Sequence, residues 1–203
     1  MKKIPTLFER QFENHRVVGI SNKVTPGMEW VLEGKGTATV KVDGSCCAII
    51  DGAFYKRYDA KKGKPIPEGA IQCQDEADPV TGHLPCWVKC SEDNPSDKWF
   101  IVAYKNLLKH TLPNTPKNGT YEAIGKHFNG NPYGWEDDTL IRHGIYELKD
   151  CPRTFEGLKE HLEKTFIEGI VFWKDGVPQC KIKRSDFGFP WPCKEAVNLL
   201  KEE

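Results

Sequence analysis

Lys41 closes a strand-like run and faces a turn. The run Gly36-Thr37-Ala38-Thr39-Val40-Lys41-Val42 is rich in β-branched residues, and Asp43-Gly44 is a turn signal. A lysine so placed can be held partly desolvated while backbone N–H groups point at an anion. An amine that attacks a phosphoanhydride needs that setting. A free lysine has a pKa near ~10.4, so well under ~1% of it is the amine at neutral pH. Burial and neighbouring cations lower that pKa and free the lone pair. The tetrapeptide Lys41-Val42-Asp43-Gly44 alone also reads as an ordinary surface hairpin.

Four segments downstream carry further chemistry. Tyr121-Glu122-Ala123-Ile124-Gly125 sets a carboxylate inside a short apolar strand. Ile141-Arg142-His143-Gly144-Ile145-Tyr146 offers an imidazole or a phenol ring to stack on a base. Ile167-Glu168-Gly169-Ile170-Val171-Phe172-Trp173 places a second carboxylate ahead of a buried strand. Lys181-Ile182-Lys183 puts two lysines on one face of a strand, because the side-chain period is two. Glu122 and Glu168 are oxygen ligands suited to Mg²⁺ or to ribose hydroxyls. A Gly-x-x-x-x-Gly-Lys-Ser/Thr loop is absent from the sequence, so a P-loop does not hold any phosphate.

These residues need elements to position them. Strand patterns run from Ser45 to Ile50 and from Ala53 to Tyr58, joined by Asp51-Gly52. Phe100, Ala103, Tyr104, Leu107 and Leu108 keep helical spacing, with Pro113 ending the element. Thr154 caps a helix carrying Phe155, Leu158, Leu162 and Phe166 on one face. Val171 to Lys183 reads as a hairpin turning at Asp175-Gly176, and Glu195 to Lys201 as a short terminal helix. Residues 1–30 read as irregular, and residues 63–98, rich in proline and turn residues, as a long excursion with little regular structure. Strands that occur as hairpins, not βαβ units, predict an α+β fold of mainly antiparallel sheets with flanking helices.

Composition bounds the partners. With 203 residues, 38% hydrophobic and 11% aromatic, the chain is expected to form one domain, or one domain with a small appendage, with a sizeable core. Its 29 basic and 29 acidic residues leave no net charge, so any nucleic-acid face must be local. The densest basic cluster is Lys56, Arg57, Lys61, Lys62 and Lys64, which equally suits a solvated hairpin edge. Eight cysteines without a secretory pattern point to a reducing, cytoplasmic setting, and no run approaches the ~18 apolar residues of a membrane span. Cys46-Cys47 reads as strand packing. His83, Cys86 and Cys90 have only part of a zinc-site spacing.

Taken in order, the lysine motif, glutamate, ring, Glu-Gly-Ile-Val and Lys-x-Lys resemble the covalent nucleotidyltransferase superfamily of polynucleotide ligases and mRNA capping enzymes. The match looks closest to compact ATP-dependent RNA ligases related to the vertebrate 5′-to-3′ RNA ligase. It rests on Lys41-Val42-Asp43-Gly44-Ser45-Cys46-Cys47, Asn129-Gly130-Asn131-Pro132-Tyr133-Gly134, Glu168-Gly169-Ile170-Val171 and Phe187-Gly188-Phe189-Pro190-Trp191-Pro192, which span about three quarters of the chain.

The resemblance implies one adenylation domain over 1–203. An extension covers 1–30, the catalytic core 31–192 and the terminal helix 193–203. It implies ATP as substrate and as covalent AMP on Lys41, Mg²⁺ or Mn²⁺ as metal, and RNA 5′-phosphate and 3′-hydroxyl ends as partners of a monomer. It places Lys181 and Lys183 at the α-phosphate, Glu122 by the ribose, Glu168 by the metal, and His143 or Tyr146 on adenine. Arg57 falls to the ribose or the RNA phosphate, and Arg184 is in reach of the RNA backbone. Cys46 stands where many DNA ligases and capping enzymes have an arginine. About ten residues follow Pro192, too few for the OB-fold those enzymes append. Both departures count against a classical DNA ligase or capping enzyme, so a minimal DNA nick ligase or a capping guanylyltransferase is the alternative to the RNA-ligase reading, and a non-catalytic binding domain a third.

Overall fold

A computed structural model of the chain describes residues 1–14, 16–79, 81–111 and 116–196. Elements run in the order β1 (Phe8–Glu13), β2 (Arg16–Val24), α1 (Glu29–Leu32), β3 (Thr37–Lys41), β4 (Ser45–Ile50), β5 (Ala53–Ala60), β6 (Ile71–Gln72), β7 (Leu84–Lys89), α2 (Lys98–Thr111), β8 (Gly119–Ile124), β9 (Thr139–Arg142), α3 (Phe155–Lys164), β10 (Gly169–Lys174) and β11 (Val177–Lys183). Every pairing between these strands is antiparallel. The fold class is α+β with antiparallel sheets, as hairpin spacing predicts. The described residues contain no helix long and apolar enough to cross a membrane.

Residues divide into two compact units. A midchain unit comprises Met1–Lys3 and Asp43–His143, and a terminal unit comprises Ile4–Val42 and Gly144–Glu203. Each has its own core.

In the midchain unit six strands lie in the order β6-β7-β5-β4-β8-β9. One face of this sheet buries Cys47, Ile49, Phe54, Tyr121 and Ala123 with Ala103 of α2, whose Phe100, Tyr104 and Leu107 pack against them. The spacing of those α2 residues produces that stripe. The Asp51-Gly52 turn has φ of 50° and 75°, the left-handed pair that a two-residue hairpin requires. Strand β7 is a correction to the expected irregular excursion. Its Pro85 disguises it in sequence, yet the strand pairs with β5 from Tyr55↔Lys89 to Ala60↔Leu84.

In the terminal unit three strands lie in the order β11-β10-β3 and two more form the β1-β2 hairpin. Ala38, Ile170, Phe172, Cys180 and Ile182 point from one face of the three-stranded sheet into a core with Leu158 and Leu162 of α3. Thr154 caps α3 as predicted, its hydroxyl accepting from the Gly157 N–H at 3.1 Å. The β1-β2 hairpin corrects the reading of residues 1–30 as irregular. Its residues are mostly exposed and its register shifts twice, so the alternation that announces a strand is blurred. Of the segment Glu195 to Lys201, expected as a terminal helix, the described residues include only part of a 3₁₀ turn over Lys194–Ala196; the rest lies outside them. So does Pro113, the expected end of α2.

Candidate functional site

The terminal unit gathers two of the predicted lysines on one predicted carboxylate. Gly169 opens β10 and is paired with Lys41 of β3 on one side and Lys183 of β11 on the other. Glu168, immediately before it, is 3% exposed. One of its oxygens meets Lys41 Nζ at 2.5 Å and the other meets Lys183 Nζ at 2.5 Å. A strand period of two puts Thr39, Val171 and Lys181, the next row of partners, on the same face. Glycine at 169 is needed for this approach, since a Cβ there would stand 2.2 Å from the Ile182 carbonyl oxygen.

Lys181 is the perturbed amine of the group. Burial foremost, then the charges of Lys41, Lys183 and Arg10, lower its pKa to about 8, with Glu168 opposing. Its backbone is clamped by the segment leading into β1: Lys181 N–H donates to Pro5 O at 3.0 Å, and Leu7 N–H donates to Lys181 O at 2.8 Å. Arg184 does not serve as an RNA contact here. It is 4% exposed and donates to the carbonyls of Leu162, of Thr165 at 2.7 Å and of Pro190 at 3.3 Å. Its charge is spent on the end of α3 and on the Phe187–Pro192 segment.

The midchain unit gathers a second group. Cys46 of β4 and Glu122 of β8 are direct cross-strand partners, so their side chains share a face, the one opposite the Cys47 core. Thr120, two residues before Glu122, lies on that face too. The imidazole of His143 spans the pair: Nδ1 lies 2.9 Å from Thr120 Oγ1, and Nε2 lies 2.7 Å from Glu122 Oε2. Burial, then the charge of Glu122, pushes the Cys46 thiol up to about 12, partly offset by Arg57. Arg57 itself donates to Asp59 at 2.7 Å and to the Met1 carbonyl at 2.8 Å.

In the same unit the Asn129–Gly134 motif fastens the turn after the lysine strand. Asn129 Nδ2 donates to Asp43 Oδ1 at 3.0 Å and to Gly44 O at 2.6 Å. The Asp43 N–H donates to the hydroxyl of buried Tyr133 at 2.8 Å. Asn129, Gly130, Asn131 and Gly134 all have positive φ, which explains the motif's composition.

The sequence is similar to curated proteins of one kind. It is 28% identical to RNA ligase 1 of Pongo abelii, over 76% of this chain and 68% of that protein. It is 25% identical to RNA ligase 1 of Rattus norvegicus over the same shares. Against RNA ligase 1 of Danio rerio the identity is 24%, over 94% of this chain and 82% of that protein. The chain is related to the vertebrate RNA ligases. No family model matches it.

For a relative of those ligases, the expected residues fall into two sets. Lys41, Glu168, Lys181 and Lys183 share one sheet face in the terminal unit. Glu122, His143 and Arg57 belong to the midchain unit. Tyr146 lies in the terminal unit, where its carbonyl accepts from Val40 N–H at 2.9 Å and ties the segment after His143 to β3. The basic cluster around residue 56 does not form one face: Lys56 is engaged by buried Asp97 and by Ser96 at 2.9 Å, on the core side, whereas Lys61, Lys62 and Lys64 are exposed. Cys46 is the residue that sequence reasoning missed. The alternation that buries Cys47 turns Cys46 to the opposite face, so the doublet itself held the signal. His83, Cys86 and Cys90 do not converge; among the described residues, Cys46, Glu122 and His143 are the only such group of potential metal ligands.

Proposed function

We propose that this protein is an ATP-dependent RNA ligase built on a nucleotidyltransferase domain, with Lys41 as the nucleophile. The observation that carries the reading is the convergence of Lys41 and Lys183 on one nearly buried carboxylate, beside Lys181. Three amines around one acid form a cationic floor suited to a phosphate whose charge grows during transfer.

The first step starts from Lys41 as the free amine, its ammonium proton having left to solvent: Nζ bonds to the α-phosphorus of ATP, the bond to pyrophosphate breaks, and a second proton leaves Nζ for solvent. Glu168 accepts from Lys41 at 2.5 Å and so fixes where Nζ stands before attack. AMP then passes to the 5′-phosphate of an RNA end. In the last step the 3′-hydroxyl of a second end attacks that phosphate and AMP leaves. Lys181 and Lys183 face the same phosphate throughout. Glu168 is the oxygen donor on this face that would hold Mg²⁺, but both its oxygens are engaged by Lys41 and Lys183, so the ion would have to displace one of these amines; bound there, it would neutralise phosphate charge. Glu122 and His143 are assigned to the nucleoside, the carboxylate to ribose and the ring to the base, with Arg57 beside them.

Labelled ATP tests the reading. The parent protein should acquire a covalent label and seal 5′-phosphorylated RNA; labelled GTP should give no band, and all-DNA ends should seal poorly. Lys41→Ala and Lys41→Arg should give no label, since alanine lacks the atom and the guanidinium stays protonated with a pKa above ~12. Lys41→Ala should still seal chemically adenylylated RNA without ATP. If Lys41→Ala seals 5′-phosphate RNA as well as the parent, the nucleophile is elsewhere.

A further inference from the structure

We propose that Cys46, Glu122 and His143 form a site for a thiophilic divalent cation of the Zn²⁺ class, which excludes the nucleoside from Glu122 and His143. The second clause rests on the nucleoside role given to those two residues above.

The ligand atoms of the three side chains lie within 4.8 Å of one another. A tetrahedral zinc with bonds of ~2.0–2.3 Å holds its ligand atoms roughly 3.5 Å apart, so modest side-chain adjustment closes the site. The donor set selects the ion. A thiolate, an imidazole and a carboxylate suit zinc and its neighbours, whereas Mg²⁺ and Ca²⁺ take oxygen.

The scaffold is rigid where it matters. Cys46 and Glu122 sit opposite each other on hydrogen-bonded strands, and the His143 N–H donates to Thr120 O at 3.0 Å. Thr120 also supplies the outer contact that a metal-bound histidine requires. With Nε2 giving its lone pair to the ion, Nδ1–H donates to the Thr120 hydroxyl, 2.9 Å away. Arg57 is the nearby cation, and Asp59 already offsets its charge at 2.7 Å. Three protein ligands leave a fourth position for water.

Cobalt is the probe, added to the full chain in a non-thiol reductant. The parent protein should develop a thiolate-to-cobalt charge-transfer band saturating at one ion per chain and displaced by Zn²⁺. Cys46→Ser should lose the band while keeping its basal labelling by ATP, and Thr120→Val should weaken cobalt roughly tenfold or more. Glu122→Gln, which keeps the side-chain shape, should also weaken it. Adenosine, which carries no phosphate to chelate the ion, should reduce the band. Zn²⁺ in excess Mg²⁺ should suppress labelling of the parent and spare Cys46→Ser. No band in the parent, or an unchanged band in Cys46→Ser, overturns the site. A Cys46-dependent band indifferent to saturating adenosine overturns the shared use of Glu122 and His143. Should ATP never label the parent, the ligase reading fails, while the cobalt titration still decides the metal site.

Discussion

Two carboxylates with the same sequence setting end in opposite electrostatic company. Glu122 and Glu168 each sit at or next to a strand, and both are nearly buried. Glu168 is held by two ammonium groups with a third amine on the same face. Glu122 is held by an imidazole and faced by a thiol. Register makes the difference. Gly169 lies on the middle strand of three, with a lysine opposite it on either side, whereas Glu122 has Cys46 on one side and Ile141 on the other. The lesson concerns assignment of ligands: lysines in excess call for phosphate, while an imidazole, a thiol and an acid call for a nucleoside or a soft cation.

The comparison breaks most sharply at the carboxylates themselves. Glu168→Gln should cut covalent labelling by at least ~10²–10³, the loss typical of one preorganised charge contact. Glu122→Gln should mainly raise the ATP concentration needed, with the maximal rate largely kept. Equal loss of maximal labelling rate in both variants would abolish the distinction. Next in size, Gly169→Ala should destabilise by about 3 kcal/mol in urea unfolding, because the new methyl meets the Ile182 carbonyl.

Lys181 comes third. Its folded pKa of about 8 lies below its unfolded value of ~10.4, so the unfolded chain binds the extra proton between those values. Its contribution therefore raises stability as pH climbs through that window, by up to about 3 kcal/mol. Buried thiols, Cys46 and Cys180 among them, push the other way at high pH, since burial keeps them neutral in the fold. Comparing the parent with Lys181→Met at pH 7.5 and 9.5 isolates the lysine: the parent should gain relative to the variant. No relative gain would return Lys181 to an ordinary solvated amine. The smallest effect belongs to the midchain unit. Tyr133→Phe removes the acceptor of the Asp43 N–H and should cost about 1 kcal/mol, with little change in labelling.

Much of this was legible. The turns at Asp51-Gly52 and Asp175-Gly176 announce their hairpins because few residues adopt positive φ in pairs. The stripes of α2 and α3 follow from spacing, and Lys181 and Lys183 share a face because strands alternate. Three things were not. The exposed β1-β2 hairpin buries too little to need alternation, and Pro85 conceals β7. The convergence of Lys41 and Lys183 depends on which residue stands opposite Gly169, a register that no local pattern encodes. Cys46 was hidden by its neighbour: a cysteine doublet suggests core packing, and only the strand's facing decides which thiol leaves the core.

Arg184 has a consequence for how the terminal unit comes apart. Its guanidinium gathers carbonyls that the last turn of α3 leaves without partners, and its own N–H donates to Glu168 O at 2.9 Å. One side chain and one peptide thereby tie the end of a helix to the backbone of Glu168 and to the residue that follows Lys183. Local opening of α3 and loss of the Lys183 position should therefore occur together, and amide exchange in the two segments should report one opening free energy. A helix that holds none of the proposed catalytic residues would thus set the lifetime of the arrangement proposed for catalysis.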